Sequence, residues 1–217
     1  MFLKWFIRSA SIPARILRLV IGLAICGTAV SLMIHAGLGA SPWDVLAQGV
    51  ALATGWSFGI SSIIISAVVL LLWIPLRQRP GLGTIANAAG VGLMADFILA
   101  VLPLPSNIWV SAGYLIAGIL MLALGTTLYI GAGLGPGPRD GLMTGLLART
   151  GRPVWLIRGT IEVAAVIIGA LMGGTVGVGT IVFALAIGPL IHRFVILLGV
   201  RLHERAQVKA TAQPIQE

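Results

Sequence analysis

Long apolar runs, broken by short polar or glycine-rich stretches, fill the chain. A bilayer crossing takes about 20 mostly apolar residues. Six runs reach that length: roughly 16–36, 56–76, 82–103, 108–132, 153–173 and 178–200. Two shorter stretches, Ser41 to Thr54 and Gly137 to Thr150, carry helix signals but cannot cross. Each begins with a small residue, then proline, then an aspartate at the third helical position. Small side chains suit an N-cap, proline suits the first helical position, and an acid at the third resembles a capping box. The pattern predicts an all-α polytopic membrane protein with six transmembrane helices. A short re-entrant or interfacial helix follows the first and the fourth.

The apolar pattern is duplicated. Gly37-Leu-Gly-Ala-Ser-Pro-Trp-Asp44 returns 96 positions later as Gly133-Leu-Gly-Pro-Gly-Pro-Arg-Asp140. Gly81-Leu-Gly-Thr84 returns at the same offset as Gly177-Val-Gly-Thr180. A register kept without a gap points to duplication of a whole unit. One unit covers 16–103 and the other 108–200, each with three spans. An odd number of spans forces the second unit to enter from the opposite side, so the halves are expected to be inverted repeats. Gly37, Gly39, Gly133 and Gly135 suit left-handed turns that end a span. Pro42 and Pro138 restart the chain as helix. Gly81, Gly83, Gly177 and Gly179 open the third span of each unit. Behind them Thr84, Ala88 and Gly92, and Thr180, Ala184 and Gly188, form small-residue stripes. Such stripes allow close helix contact, and these two spans are expected to pack together.

Composition agrees with a membrane protein. The chain of 217 residues is 58% hydrophobic and 9% charged, against about 25% charged in soluble domains. Its net charge of +8 sits at the ends of apolar runs, which indicates membrane orientation and not nucleic-acid binding. The segment 1–15, the 77–81 loop, the 133–153 loop and the tail 201–217 are basic, while the intervening loops carry no Lys or Arg. By the positive-inside rule both termini are cytoplasmic. The first apolar run lacks a cleavage site and reads as a retained span. Cys26 is the single cysteine, so no internal disulfide forms.

Ionisable groups inside spans are costly and are site candidates. Glu162 lies eight residues into the fifth span, about 12 Å deep at 1.5 Å per residue. Arg158 stands one turn earlier, close enough to pair with it. The pair either neutralises itself or couples a proton or cation. Its first-half counterpart is Ser66. Asp44 and Asp140 are helix caps, or else gates or cation-attracting sites, and Arg139 favours anions at the second copy. Asn87 is expected to be interhelical glue. Asp96 and His192 are equivalent positions late in their spans. No Walker loop, metal-ligand spacing or nucleophile–base pattern is present. No cofactor or metal, and no enzymatic activity, is expected.

The doubled Gly-Leu-Gly-x-x-Pro-x-Asp motif, with the Gly-x-Gly-Thr span starts, resembles the YczE/YyaS/YitT-type bacterial integral membrane proteins. The resemblance covers approximately residues 15–200 and implies that fold and a bacterial cytoplasmic-membrane location. Inverted repeats are a common ground plan for secondary transporters, whose site lies between the halves. The expected function is a small permease of an unidentified solute or ion. The alternative is an accessory or scaffold protein supporting a partner enzyme or exporter; a channel is a third reading. The bilayer is the expected surrounding, and a homodimer or a membrane partner fits the small size.

Overall fold

The computed structural model describes residues 11–199. The segment 1–15 is thus described only from Ser11, and the basic tail 201–217 lies outside the described residues. Among the described residues eight helices follow in order: α1 (Ile12–Ala36), α2 (Pro42–Thr54), α3 (Phe58–Leu76), α4 (Leu82–Val101), α5 (Ile108–Gly131), α6 (Pro138–Thr150), α7 (Val154–Leu171) and α8 (Val178–Leu198). All but α2 and α6 are long and apolar enough to cross a membrane. Many large apolar side chains point outward, among them Leu71, Ile74, Leu93, Phe97, Leu171 and Leu185. A helix hydrophobic all round suits a bilayer, where backbone polar groups are satisfied within the helix.

The centre is the pair α1 and α5. A Cβ on Gly22 would fall 2.8 Å from the Tyr129 nitrogen, and one on Gly118 would fall 2.6 Å from Met33 Cγ. Low numbers on α1 thus meet high numbers on α5, so the two helices run antiparallel. Glycine is what allows this approach. At one end, Arg15 donates to the Ala132 and Gly133 carbonyls at 2.7 and 2.6 Å, and Arg18 donates to Gly131 at 3.2 Å. Both arginines satisfy carbonyls at the end of α5, where positive charge suits the helix dipole.

The remaining helices repeat one contact scheme. α4 packs on α1 and α8 on α5; α2 packs on α7 and α3, and α6 on α3 and α7. The two duplicated motifs dock on each other crosswise. Gly83 N–H donates to the Leu134 carbonyl at 2.8 Å, and Gly179 N–H donates to the Leu38 carbonyl at 2.7 Å. These bonds are related by the 96-residue offset. Gly39 (φ +106°) and Gly135 (φ +127°) have no room for a side chain; a Cβ there would meet Thr180 Oγ1 at 2.7 Å and Thr84 Oγ1 at 2.8 Å. The left-handed turns expected at Gly37, Gly39, Gly133 and Gly135 are present.

One expectation is corrected. The spans that begin at Gly81 and Gly177 were expected to pack together, yet α4 and α8 share no substantial contact. Their glycine-rich starts meet the loop of the opposite half instead. Farther along, Gly92 approaches the backbone of Gly59 on α3, whereas Gly188 has nothing within 4 Å. A small-residue stripe records close approach without naming the partner.

Candidate functional site

The short helices lie at opposite ends of the α1–α5 pair. α2 runs past the end of α7: Gly49 abuts Gly169 and Met172, and Gln48 accepts a bond from Thr175 N–H at 3.1 Å. α6 runs past the end of α3: Gly141 faces the Trp73 ring and Gly145 faces Leu76. Trp73 Nε1 donates to the Pro138 carbonyl at 3.0 Å, fixing the start of α6. Both short helices therefore turn their N-termini into one space between the halves.

That space is a cavity of about 510 Å³, lined by residues from all eight helices. Ser41, Pro42, Trp43 and Asp44 enter from α2 and its cap, and Gly137, Pro138, Arg139 and Asp140 from α6 and its cap. Ser62 and Ser66 of α3, Asn87 of α4, Tyr129 of α5 and Arg158 and Glu162 of α7 complete its polar wall. Val91, Phe183, Ile187 and Ile191 contribute apolar surface.

Asp44 is only 1% exposed. Its carboxylate accepts from the Ser41 hydroxyl, and Ser41 Oγ in turn accepts from the Asp44 N–H at 3.3 Å. The expected cap is thus present. Across the cavity Arg139 reaches to 3.7 Å from the Asp44 carboxylate. The same guanidinium lies 5.2 Å from the centre of the Trp43 ring. Trp43 and Arg139 occupy equivalent places in the two motifs. The second helix start therefore reaches the first through both an ion pair and a cation–π contact.

Asp140 has different company. Its Oδ2 accepts from the Tyr129 hydroxyl at 2.9 Å. Among the described residues no cation lies within ion-pair distance of it. Gly137 at its N-cap offers no side chain, so the hydroxyl comes from α5 and not from the cap. Arg158 Nε donates to Glu162 Oε1 at 2.8 Å, one helical turn apart, with the two side chains 50% and 29% exposed.

The structure thus gathers Asp44, Asp140, Arg139, Asn87, Arg158 and Glu162 into one cavity. Asp96 and His192 stand outside it. Asp96 accepts from Ser57 Oγ and from the Gly59 N–H at 2.7 Å, holding the start of α3 against α4. His192 is exposed on α8. Gly81, Gly83, Thr84, Gly177, Gly179 and Thr180 serve the crossed loop contacts: Thr84 Oγ1 accepts from Gly81 N–H and donates to the Pro136 carbonyl, and Thr180 Oγ1 accepts from Gly177 N–H. Tyr129, Trp43 and the α3 serines were not singled out for the site. Tyr129 is one of two tyrosines in the chain, and a phenol within a span must find a polar partner; that was the available signal.

Comparison with known proteins places the chain. Residues 13–195 match the model of a family of unknown function, DUF6198. The chain is 39% identical over 176 residues to an uncharacterized protein of Haemophilus influenzae, covering 81% of each. It is 34% identical to the membrane protein YczE of Bacillus subtilis, over 88% of this chain and 89% of that one. It is 27% identical to YyaS of the same organism, over 80% and 89% respectively. No solved structure matches. With six candidate spans and these relatives, the chain is an integral membrane protein that belongs to the DUF6198 family, of the YczE/YyaS type.

Proposed function

We propose that the protein is a non-enzymatic permease of the bacterial cytoplasmic membrane, with both termini cytoplasmic and a small-solute or ion site in the central cavity. The two halves are inverted copies, as the antiparallel α1–α5 pair and the crossed 96-offset bonds support. α2 closes the cavity toward one face and α6 toward the other. Inverted-repeat transporters place their sites between the halves, at helix ends turned inward. The observation that carries the reading is the link of Arg139 to Asp44 and Trp43. It joins the inner ends of both short helices, so displacing either helix outward must break it. A solute that competes for Asp44 or Arg139 would loosen one gate.

A thermal-stability screen of detergent-purified protein against metabolites and ions at two pH values tests this, with Glu162→Gln alongside. A ligand that raises the melting temperature of the wild type but not of the variant supports a cavity site. If no compound shifts either protein, the accessory role replaces the permease.

A further inference from the structure

The two halves differ at one seam. α3 and α4 pack tightly, with Gly59 on Gly92 and Asp96 bonded to Ser57 and Gly59. The equivalent helices α7 and α8 share no comparable contact. Three of the four closing residues are replaced: Ser57 by Pro153, Gly59 by Trp155, and Asp96 by His192. Gly188, the counterpart of Gly92, faces open space, and Trp155 is 74% exposed. Both helices still line the cavity, α7 with Arg158 and Glu162, α8 with Phe183 and Ile187. Among the described residues this seam therefore lacks the contacts that close its counterpart, and the cavity behind it has charges on one wall and apolar side chains on the other.

Resting on the permease reading, we infer that the α7–α8 seam is a lateral entrance, and that the substrate is a membrane-dissolved amphiphile with a cationic head. An apolar tail can remain against Phe183 and Ile187 while the head enters the polar wall. The cavity sets three carboxylates, Asp44, Asp140 and Glu162, against two guanidinium groups, Arg139 and Arg158. Asp44 and Glu162 have those partners. Among the described residues Asp140 has only the Tyr129 hydroxyl, and the helix dipole at its N-terminus offsets about half a charge. A positive head completes the balance, and taking it from the bilayer avoids dragging an alkyl chain through water.

The test uses the full chain in lipid nanodiscs and a long-chain alkyl amine carrying a photoactivatable diazirine, beside the matching alkyl carboxylate. The amine is expected to label residues of α7 and α8 facing the seam. Gly188→Trp should reduce labelling several-fold, Gly188→Ala should preserve it, and Asp140→Asn should reduce it several-fold. Melting curves confirm that the variants fold. In parallel, Ser66→Cys in a Cys26→Ala background is treated with a water-soluble maleimide. Maleimide reaction without amine labelling overturns the lateral entrance and leaves the permease reading standing. Failure of both overturns both. Equal labelling by the carboxylate overturns the cationic head.

Discussion

The first and second halves of this chain agree in backbone and differ in side-chain chemistry. At the crossed loops the correspondence is close: Gly83 to Leu134 and Gly179 to Leu38 are the same bond at the same offset. At the cavity it fails. Asp44 is sealed by Ser41 and Arg139, whereas the equivalent Asp140 meets a tyrosine from α5. At the outer seams it fails again, with Asp96 clasping α3 and its counterpart His192 exposed. Neither half can alter this shared frame easily, because glycine backbones touch there. Divergence collected where side chains face the cavity or the lipid.

The strongest break should come at the frame. Gly39→Val and Gly135→Val each force a branched residue into a left-handed conformation and against a threonine of the opposite half. Strain and overpacking together are expected to cost more than about 3 kcal/mol, read as loss of folded protein in detergent melts. Gly113→Val, with nothing within 4 Å of its Cβ, is the matched control and should keep the fold.

A smaller effect is expected at the inner contact. Arg139→Ala strips the buried Asp44 of its cation. Loss of a partner from a buried pair costs about 3–5 kcal/mol, but Arg139 is 39% exposed and screened, so about 1–2 kcal/mol is expected. Asp44→Asn should relieve most of that loss in the double variant, which a double-mutant cycle measures. Trp43→Leu should add roughly 0.5–1 kcal/mol through the lost cation–π contact, and its effect should vanish in the Arg139→Ala background.

The outer seams give the smallest difference. Asp96→Ala removes the side-chain acceptor at the start of α3 and should cost about 1 kcal/mol. His192→Ala should change stability by less than about 0.5 kcal/mol. Equal losses in the two variants would show that the seams are alike.

Much of the fold was readable from single residues. Ser41-Pro42 and Gly137-Pro138 announce the starts of α2 and α6, and the spans follow from apolar length, since lipid permits little other backbone. The crossed docking was not readable. Gly-x-Gly-Thr declares a close approach, but the partner lies in the other half, and glycine carries no side chain to identify it. Glu162 with Arg158 was legible because helix spacing alone brings them together. Asp96 was legible only as an acid late in its span; its role depends on Ser57 and Gly59, 39 and 37 residues away, which no local pattern reveals.

In the proposed mechanism α2 and α6 gate one cavity from opposite faces. Ser66→Cys in a Cys26→Ala background, reconstituted in oriented vesicles, tests it through the rate of modification by a membrane-impermeant thiol reagent added to either face. Slow reaction is expected in the otherwise native protein, and faster reaction from both faces once Arg139→Ala breaks the link between the short helices. Absence of reaction from either face in both proteins, with the fold intact, would contradict it.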